Sequence, residues 1–177
     1  MKKLGGCVAA MFFGILVSLP AQDMKIGFVD VEKVFNEYQV TQQNDAKLKD
    51  EGKSKTAERN KLVDEIKKLK DEAELLSEEA RKEKEAAIDE RLKALREFDE
   101  KTKGELRDKR DFLLKKIFDD IKVTIEQMGK EEGYTFIYND RALLYKSEAF
   151  DLTPQVTKRL NEAASKKAEQ APAEAQP

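Results

Sequence analysis

Between Gln39 and Gly133 the chain contains no proline, and apolar residues return at three- and four-residue steps. Leu62, Ile66, Leu69, Ala73, Leu76 and Ala80 alternate strictly between steps of four and three. That spacing keeps one apolar stripe on a helix face, the seam through which helices pair as a coiled coil. A second seam runs through Ile88, Leu92 and Leu95, weakens at Asp99 and Thr102, and recovers at Leu106, Leu113, Ile117 and Ile121. Ala80 to Ile88 is a step of eight, so the two seams are out of phase. A single helix would hold its register or drift slowly. The phase break therefore predicts a reversal between about Leu76 and Ala87, giving an antiparallel helical hairpin. Ser77, followed by Glu78 and Glu79, is placed to cap the returning helix. No Gly or Pro marks this turn, so the competing arrangement is one long helix paired with another chain.

The flanking pattern has a shorter period. Lys25-Ile26-Gly27-Phe28-Val29-Asp30 is an apolar run bounded by charges and reads as a buried strand. Val31, Val34, Phe35 and Tyr38 then return at helical spacing. Beyond Gly129 and Gly133, a helix stop signal, Tyr134-Thr135-Phe136-Ile137-Tyr138 is β-rich. Asn139-Asp140-Arg141 reads as a turn, and Ala142-Leu143-Leu144-Tyr145 as a return strand. Thr153 and Pro154 suit the start of a short helix carrying Val156 and Leu160 on one side. The tail from Ala163, rich in Ala, Glu, Lys, Gln and Pro, reads as disordered. Strands at both ends thus bracket the hairpin, and the ends must meet for Ile26–Val29 to find partners. The expected fold is mostly α with a small three-strand β body. Its core and assembly residues would be Ile26, Phe28, Val29, Phe136, Ile137, Leu143 and Leu144. So small a sheet exposes edges that invite oligomerisation. The division is a body of residues 22–45 and 125–162, an arm of residues 46–124 and a tail of residues 163–177.

Composition supports long solvated helices rather than a compact globule. Of the 177 residues, 40% are charged and 7% aromatic. The net charge of −2 argues against a nucleic-acid partner held by a strongly basic surface. Residues 1–21 read as a cleaved signal peptide: Lys2 and Lys3, an apolar run from Leu4 to Val17, then Ser18-Leu19-Pro20-Ala21. Cys7 precedes that run rather than ending it, which argues against lipidation. Cleavage after Ala21 would leave a mature, exported chain without a thiol.

Charge is unevenly spread along the hairpin. From Asp71 to Glu90 there are nine acids and three bases, a net of −6. Lys47 to Lys70 carries nine bases and five acids, a net of +4, and Lys101 to Lys116 seven and three, also +4. Folded near residue 78, the arm has an acidic tip and a basic middle; the plainer reading is ordinary solvating charge. A basic middle would attract anionic clients with salt-sensitive strength. Gly52 and Gly104 lie symmetrically about the reversal and are candidates for a flexible point, or two unrelated tolerated glycines.

Candidate chemistry is sparse. Without histidine or a mature cysteine, the commonest acid–base, nucleophilic and transition-metal constellations cannot be assembled. Gly52-Lys53-Ser54 imitates the end of a phosphate-binding loop, but Lys47 occupies the position that needs glycine. The expectation is a non-enzymatic protein with no cofactor and no ATP dependence.

The residues at the two ends carry a family likeness. Lys25-Ile26-Gly27-Phe28-Val29-Asp30 with Val34-Phe35 resembles the N-terminal strand and helix start of the Skp (OmpH-like) periplasmic chaperones. Tyr134–Asn139, Ala142–Tyr145 and Asp151-Leu152-Thr153 with Val156 and Leu160 resemble that family's C-terminal strands and closing helix. The likeness covers roughly residues 24–161 and implies a homotrimer. Its strands would form a small barrel-like body from which three arms project around a cavity. Unfolded outer-membrane proteins would be held there in the periplasm without ATP, through many weak contacts. Phe98 and Phe112 are candidate client contacts, with helix–helix packing as the plainer role. The best-known members are strongly basic, whereas this chain has a pI near 5.6, and its acidic tip argues against contact with anionic lipid or lipopolysaccharide. The alternative reading is a coiled-coil scaffold of the cell envelope with one folded partner.

Overall fold

The computed structural model describes residues 24–170; the expected signal peptide and the last residues of the tail lie outside them. Strand β1 (Ile26–Val29) leads into a short helix α1 (Val31–Glu37). Two long helices follow, α2 (Gln39–Ala73) and α3 (Glu78–Glu132). Strand β2 (Phe136–Asn139) and helix α4 (Thr153–Gln170) complete the chain, with short 3-10 turns at Asp140–Ala142 and Glu148–Phe150.

α2 and α3 form the antiparallel hairpin that the phase break predicts. The reversal occupies Glu74–Ser77, where the N–H groups of Leu75 and Leu76 bond back to Glu72 and Ala73 at 3.2 and 3.3 Å. Ser77 stands at the N-cap of α3 with extended backbone, but its hydroxyl makes no capping bond. The first turn relies instead on Glu78 and Glu79, whose charges suit the positive end of the helix. Cross-arm pairs set the register: Lys84 with Glu72 at 2.6 Å, Arg59 with Asp99 at 2.9 Å, and Lys109 with Glu51. The Arg59–Asp99 pair explains why the second seam weakens at Asp99, where an ion pair replaces an apolar layer.

Helix α3 runs unbroken for 55 residues from the tip into the body. It stops where Gly133 adopts a left-handed φ of 73°, with the Tyr134 N–H bonded to the Gly129 carbonyl at 2.9 Å. The chain then enters β2, which lies parallel to β1 with Ile26 opposite Phe136 and Val29 opposite Asn139.

The expected return strand is absent. Asn139 accepts from the Arg141 N–H at 3.1 Å and winds the chain into a 3-10 turn, so Leu143–Tyr145 form no ladder. Instead the chain crosses to the other side of β1, where Asp151 bridges Phe28 and the Leu152 N–H reaches the Phe28 carbonyl at 2.9 Å. β1 is therefore flanked by β2 on one side and by the Asp151 bridge on the other, and among the described residues nothing pairs with the outer edge of β2. Gly27 is needed at this crossing: a Cβ there would stand 2.5 Å from Leu152 Cδ1.

The core lies where the ends meet the root of the arm. Val29, Val34, Tyr38, Ile117, Ile121, Met128, Leu152, Val156 and Leu160 are buried together. Burial of each large apolar side chain contributes about 1.5–3 kcal/mol. Ile117 and Ile121 belong to the stretch read from sequence as arm, so α3 carries the body's core further toward the tip than that division has it. α4 also differs from expectation. It continues through Ala163 to Gln170, because Ala, Lys and Glu favour helix and Ala164 packs on the core. Its start is held by Asp151, which accepts the Thr153 N–H at 2.8 Å. The Thr153 hydroxyl is turned away from the capping role and accepts the Asp30 N–H at 2.9 Å, joining α4 to the end of β1.

Candidate functional site

Each half of the arm presents its seam differently. Ile66, Ala73 and Ile88 are buried between the helices, and Leu62, Leu69, Leu92 and Leu95 are half-buried. Leu76 does not join the seam. α2 ends at Ala73, so Leu76 sits in the turn and is 41% exposed, beside a still more exposed Leu75. The hairpin thus buries a narrow apolar strip and leaves most of its surface charged. Many of those charges pair within one helix, as Arg81 does with Glu85 at 3.0 Å. Such solvated pairs add little stability, at most about 1 kcal/mol each.

Phe98 is half-buried, with the Lys55 ammonium 5.8 Å from its ring centroid. Phe112 is 67% exposed on α3. Phe118 and Val123 are about half-exposed further down the same helix, and Phe118 stacks on Phe35 with ring centroids 5.4 Å apart. Gly52 and Gly104 both lie in the stretch between the Lys109–Glu51 and Arg59–Asp99 pairs, and a Cβ at either would meet nothing within 4 Å.

On the body, the residues assigned to core and assembly divide into two sets. Phe28 and Val29 are buried, and Ile137 and Leu143 are half-buried. Ile26 and Phe136 are about half-exposed, and Leu144 is fully exposed. Ile26 pairs with Phe136, whose ring stacks on Tyr138, and with Tyr145 and Phe150 these residues make an apolar surface on one side of the sheet. A shallow cavity of about 230 Å³ opens there. Lys146 borders it, with its ammonium 5.1 Å from the Phe28 ring and a 2.7 Å bond to Asp140. A second groove of about 300 Å³ lies between the sheet and α3, lined by Val31, Phe118, Ile125 and Ile137. Among the described residues no group of potential ligands converges to hold a metal ion. What this surface offers is apolar contact flanked by charge.

The family model for outer membrane protein (OmpH-like) matches residues 25–160, from the start of β1 to the middle of α4. The chain belongs to the OmpH-like family. That match joins the two chain ends through the whole arm, so it covers both the sheet and the hairpin of this OmpH-like protein. A crystal structure from Caulobacter crescentus CB15, described as that of a candidate OmpH-like outer membrane chaperone, has the same fold. The two agree with a TM-score of 0.67 at 16% sequence identity, over 92% of each chain. No curated protein matches the sequence.

Several residues that build the OmpH-like body carry no sequence signal of their role. Asn161 on α4 accepts the Gln39 N–H at 2.9 Å and so caps α2 from another helix. Tyr38, read from its spacing as a helical position, has extended backbone and separates α1 from α2. Its phenol is buried and donates to Asp120 at 3.4 Å. Burial first, and the neighbouring Asp120 carboxylate second, push its pKa up from 10.0 to about 12. Among the described residues no helix is long and apolar enough to cross a membrane.

Proposed function

We propose that this protein is a periplasmic holdase chaperone, which binds unfolded outer-membrane proteins without ATP and keeps them from aggregating. The observation that carries the reading is the combination of a small apolar body surface left exposed with a long charged arm of thin core. Ile26, Phe136, Tyr138, Leu144, Tyr145 and Phe150 are large apolar residues of the body left exposed to water. Among the described residues nothing pairs with the outer edge of β2 beside them. Three copies joined through this face would form a homotrimer whose arms surround a shared space. Phe98 and Phe112, with the basic middle of each arm, are the proposed client contacts. Many weak contacts of this kind hold a client strongly while each releases quickly.

No enzymatic step is part of the proposal, and none of the named residues requires a cofactor. Export by a cleaved signal peptide would bring the chain to its clients. The acidic tip, net −6 from Asp71 to Glu90, disfavours anionic lipid as a partner. The test dilutes a urea-unfolded β-barrel protein into buffer with the mature chain and no nucleotide, and follows turbidity. Suppression at a few chains per client is expected, and suppression should fall as salt rises. Failure to bind any of several unfolded clients at micromolar concentration would count against the proposal. Capture of a single folded partner would point to the scaffold role instead.

A further inference from the structure

We infer that Asn161 is a positioning residue for the arm: from α4 it latches the root of α2, and that latch governs how far the arm swings on the body. The two helices of the arm are mounted differently. α3 passes from tip to body without a break and is anchored by Ile117, Ile121 and Met128. α2 is jointed to α1 at Tyr38, where φ is −71° and ψ is 119°. Any tilt of the arm must bend the continuous α3 and also open this second mount at Tyr38.

The start of a helix leaves its first N–H groups without partners in the helix itself. Tyr38 stands at the N-cap of α2, and its side chain makes no capping bond. Asn161 supplies the missing acceptor: its Oδ1 takes the Gln39 N–H at 2.9 Å, and its Nδ2 donates to the Glu37 carbonyl at 3.4 Å. A single amide therefore spans the end of α1 and the beginning of α2. Gln42 also crosses the joint, donating to the Asn36 carbonyl at 3.2 Å, but it belongs to α2 and does not reach α4. Thr41, at the same turn, is buried with its hydroxyl unpartnered and adds no polar tie. The Tyr38–Asp120 bond holds the joint to α3 rather than to α4.

The latch is also placed to open. Both Asn161 bonds lie at the surface, where water competes for the same groups. The lever above it is long: the 35 residues of α2 span about 50 Å at 1.5 Å per residue. A few degrees at the root become several ångströms at the tip.

The test needs no client, so its outcome is separate from that of the holdase proposal. Spin labels are placed at exposed Lys93→Cys on α3 and Glu148→Cys on the body, in a Cys7→Ser background. Labelled chain is diluted into unlabelled chain so that only pairs within one chain are read. Asn161→Ala should broaden the label distance distribution and speed exchange of the Gln39 amide at least ten-fold. Asn161→Asp keeps the acceptor for Gln39 but loses the donor to Glu37, so it should slow Gln39 exchange again and narrow the distances only in part. The inference is overturned if Asn161→Ala speeds Gln39 exchange but leaves the distances unchanged, because the bond is then only a local cap. It is overturned equally if the amides of Val156 and Leu160 accelerate as much as Gln39, because Asn161 then merely holds α4 in place. Failure of Asn161→Asp to slow Gln39 exchange again would also overturn it.

Discussion

Tyr38 concentrates several of the structure's constraints in one side chain. It ends α1, begins α2, fills the core and donates to Asp120. Because burial and Asp120 disfavour the phenolate, its pKa in the folded chain stands at about 12 rather than 10.0. The folded state therefore keeps a proton that the unfolded state releases between those values. Its contribution to stability is complete below pH 10 and is lost as pH rises toward about 12. Urea midpoints measured across that window should fall more steeply for the original chain than for Tyr38→Phe, which has no phenol to titrate. Equal slopes would mean that the phenol is hydrated in solution.

The hairpin shows how little apolar surface a helix pair needs when its length and charge pattern agree. Ile66, Ala73 and Ile88 are the buried centres of the seam, and the half-buried leucines extend it. Gly52 and Gly104 interrupt this regularity in the same stretch of the arm. At Gly52 the backbone carbonyl also accepts the Thr56 hydroxyl at 2.8 Å, a bond that tends to bend a helix. Since a Cβ at either glycine meets open space, replacement by alanine acts on the backbone alone. The Gly52→Ala, Gly104→Ala double variant should gain roughly 1–2 kcal/mol, at up to about 1 kcal/mol per site. Thermal melts would report the gain, and amide exchange along α2 and α3 should slow. A stabilised chain with unchanged arm exchange would show that the glycines are tolerated without forming a flexible point.

The molecule as a whole couples a body that is too small to a lever that is long. The sheet has two strands, and its apolar residues fall on both sides of the exposure boundary. Val29 joins the core of one chain and Phe28 is buried beside Lys146 on the opposite face, while Ile26, Phe136 and Leu144 are exposed. In the proposed trimer these outward residues are covered by neighbouring copies. Leu144→Asp would then place a charge in an apolar interface while leaving the core of the single chain untouched. Sedimentation should show a trimer for the original chain and a shift toward monomer for the variant, with helix content by circular dichroism retained. A variant that stays trimeric would move the assembly surface to the groove beside Phe118 and Ile125.

The sequence alone determined the hairpin, its reversal near Ser77, the stop at Gly133 and the pairing of the two chain ends. Each of these follows from local periodicity or backbone preference, which neighbouring residues settle among themselves. It also carried the resemblance that the OmpH-like family match bears out, through the motifs at the two ends. The path after Asn139 was decided by tertiary structure. A β-rich run can return as a hairpin or cross over, and here an Asn-capped 3-10 turn sends the chain across β1 to Asp151. The helical continuation past Ala163 was likewise decided by packing of Ala164 on the core, against a composition that also suits disorder. The tie from Asn161 to Gln39 lies further still from anything local, since 122 positions separate them. An asparagine's partner depends on what the fold brings within 3 Å, and no periodicity encodes that.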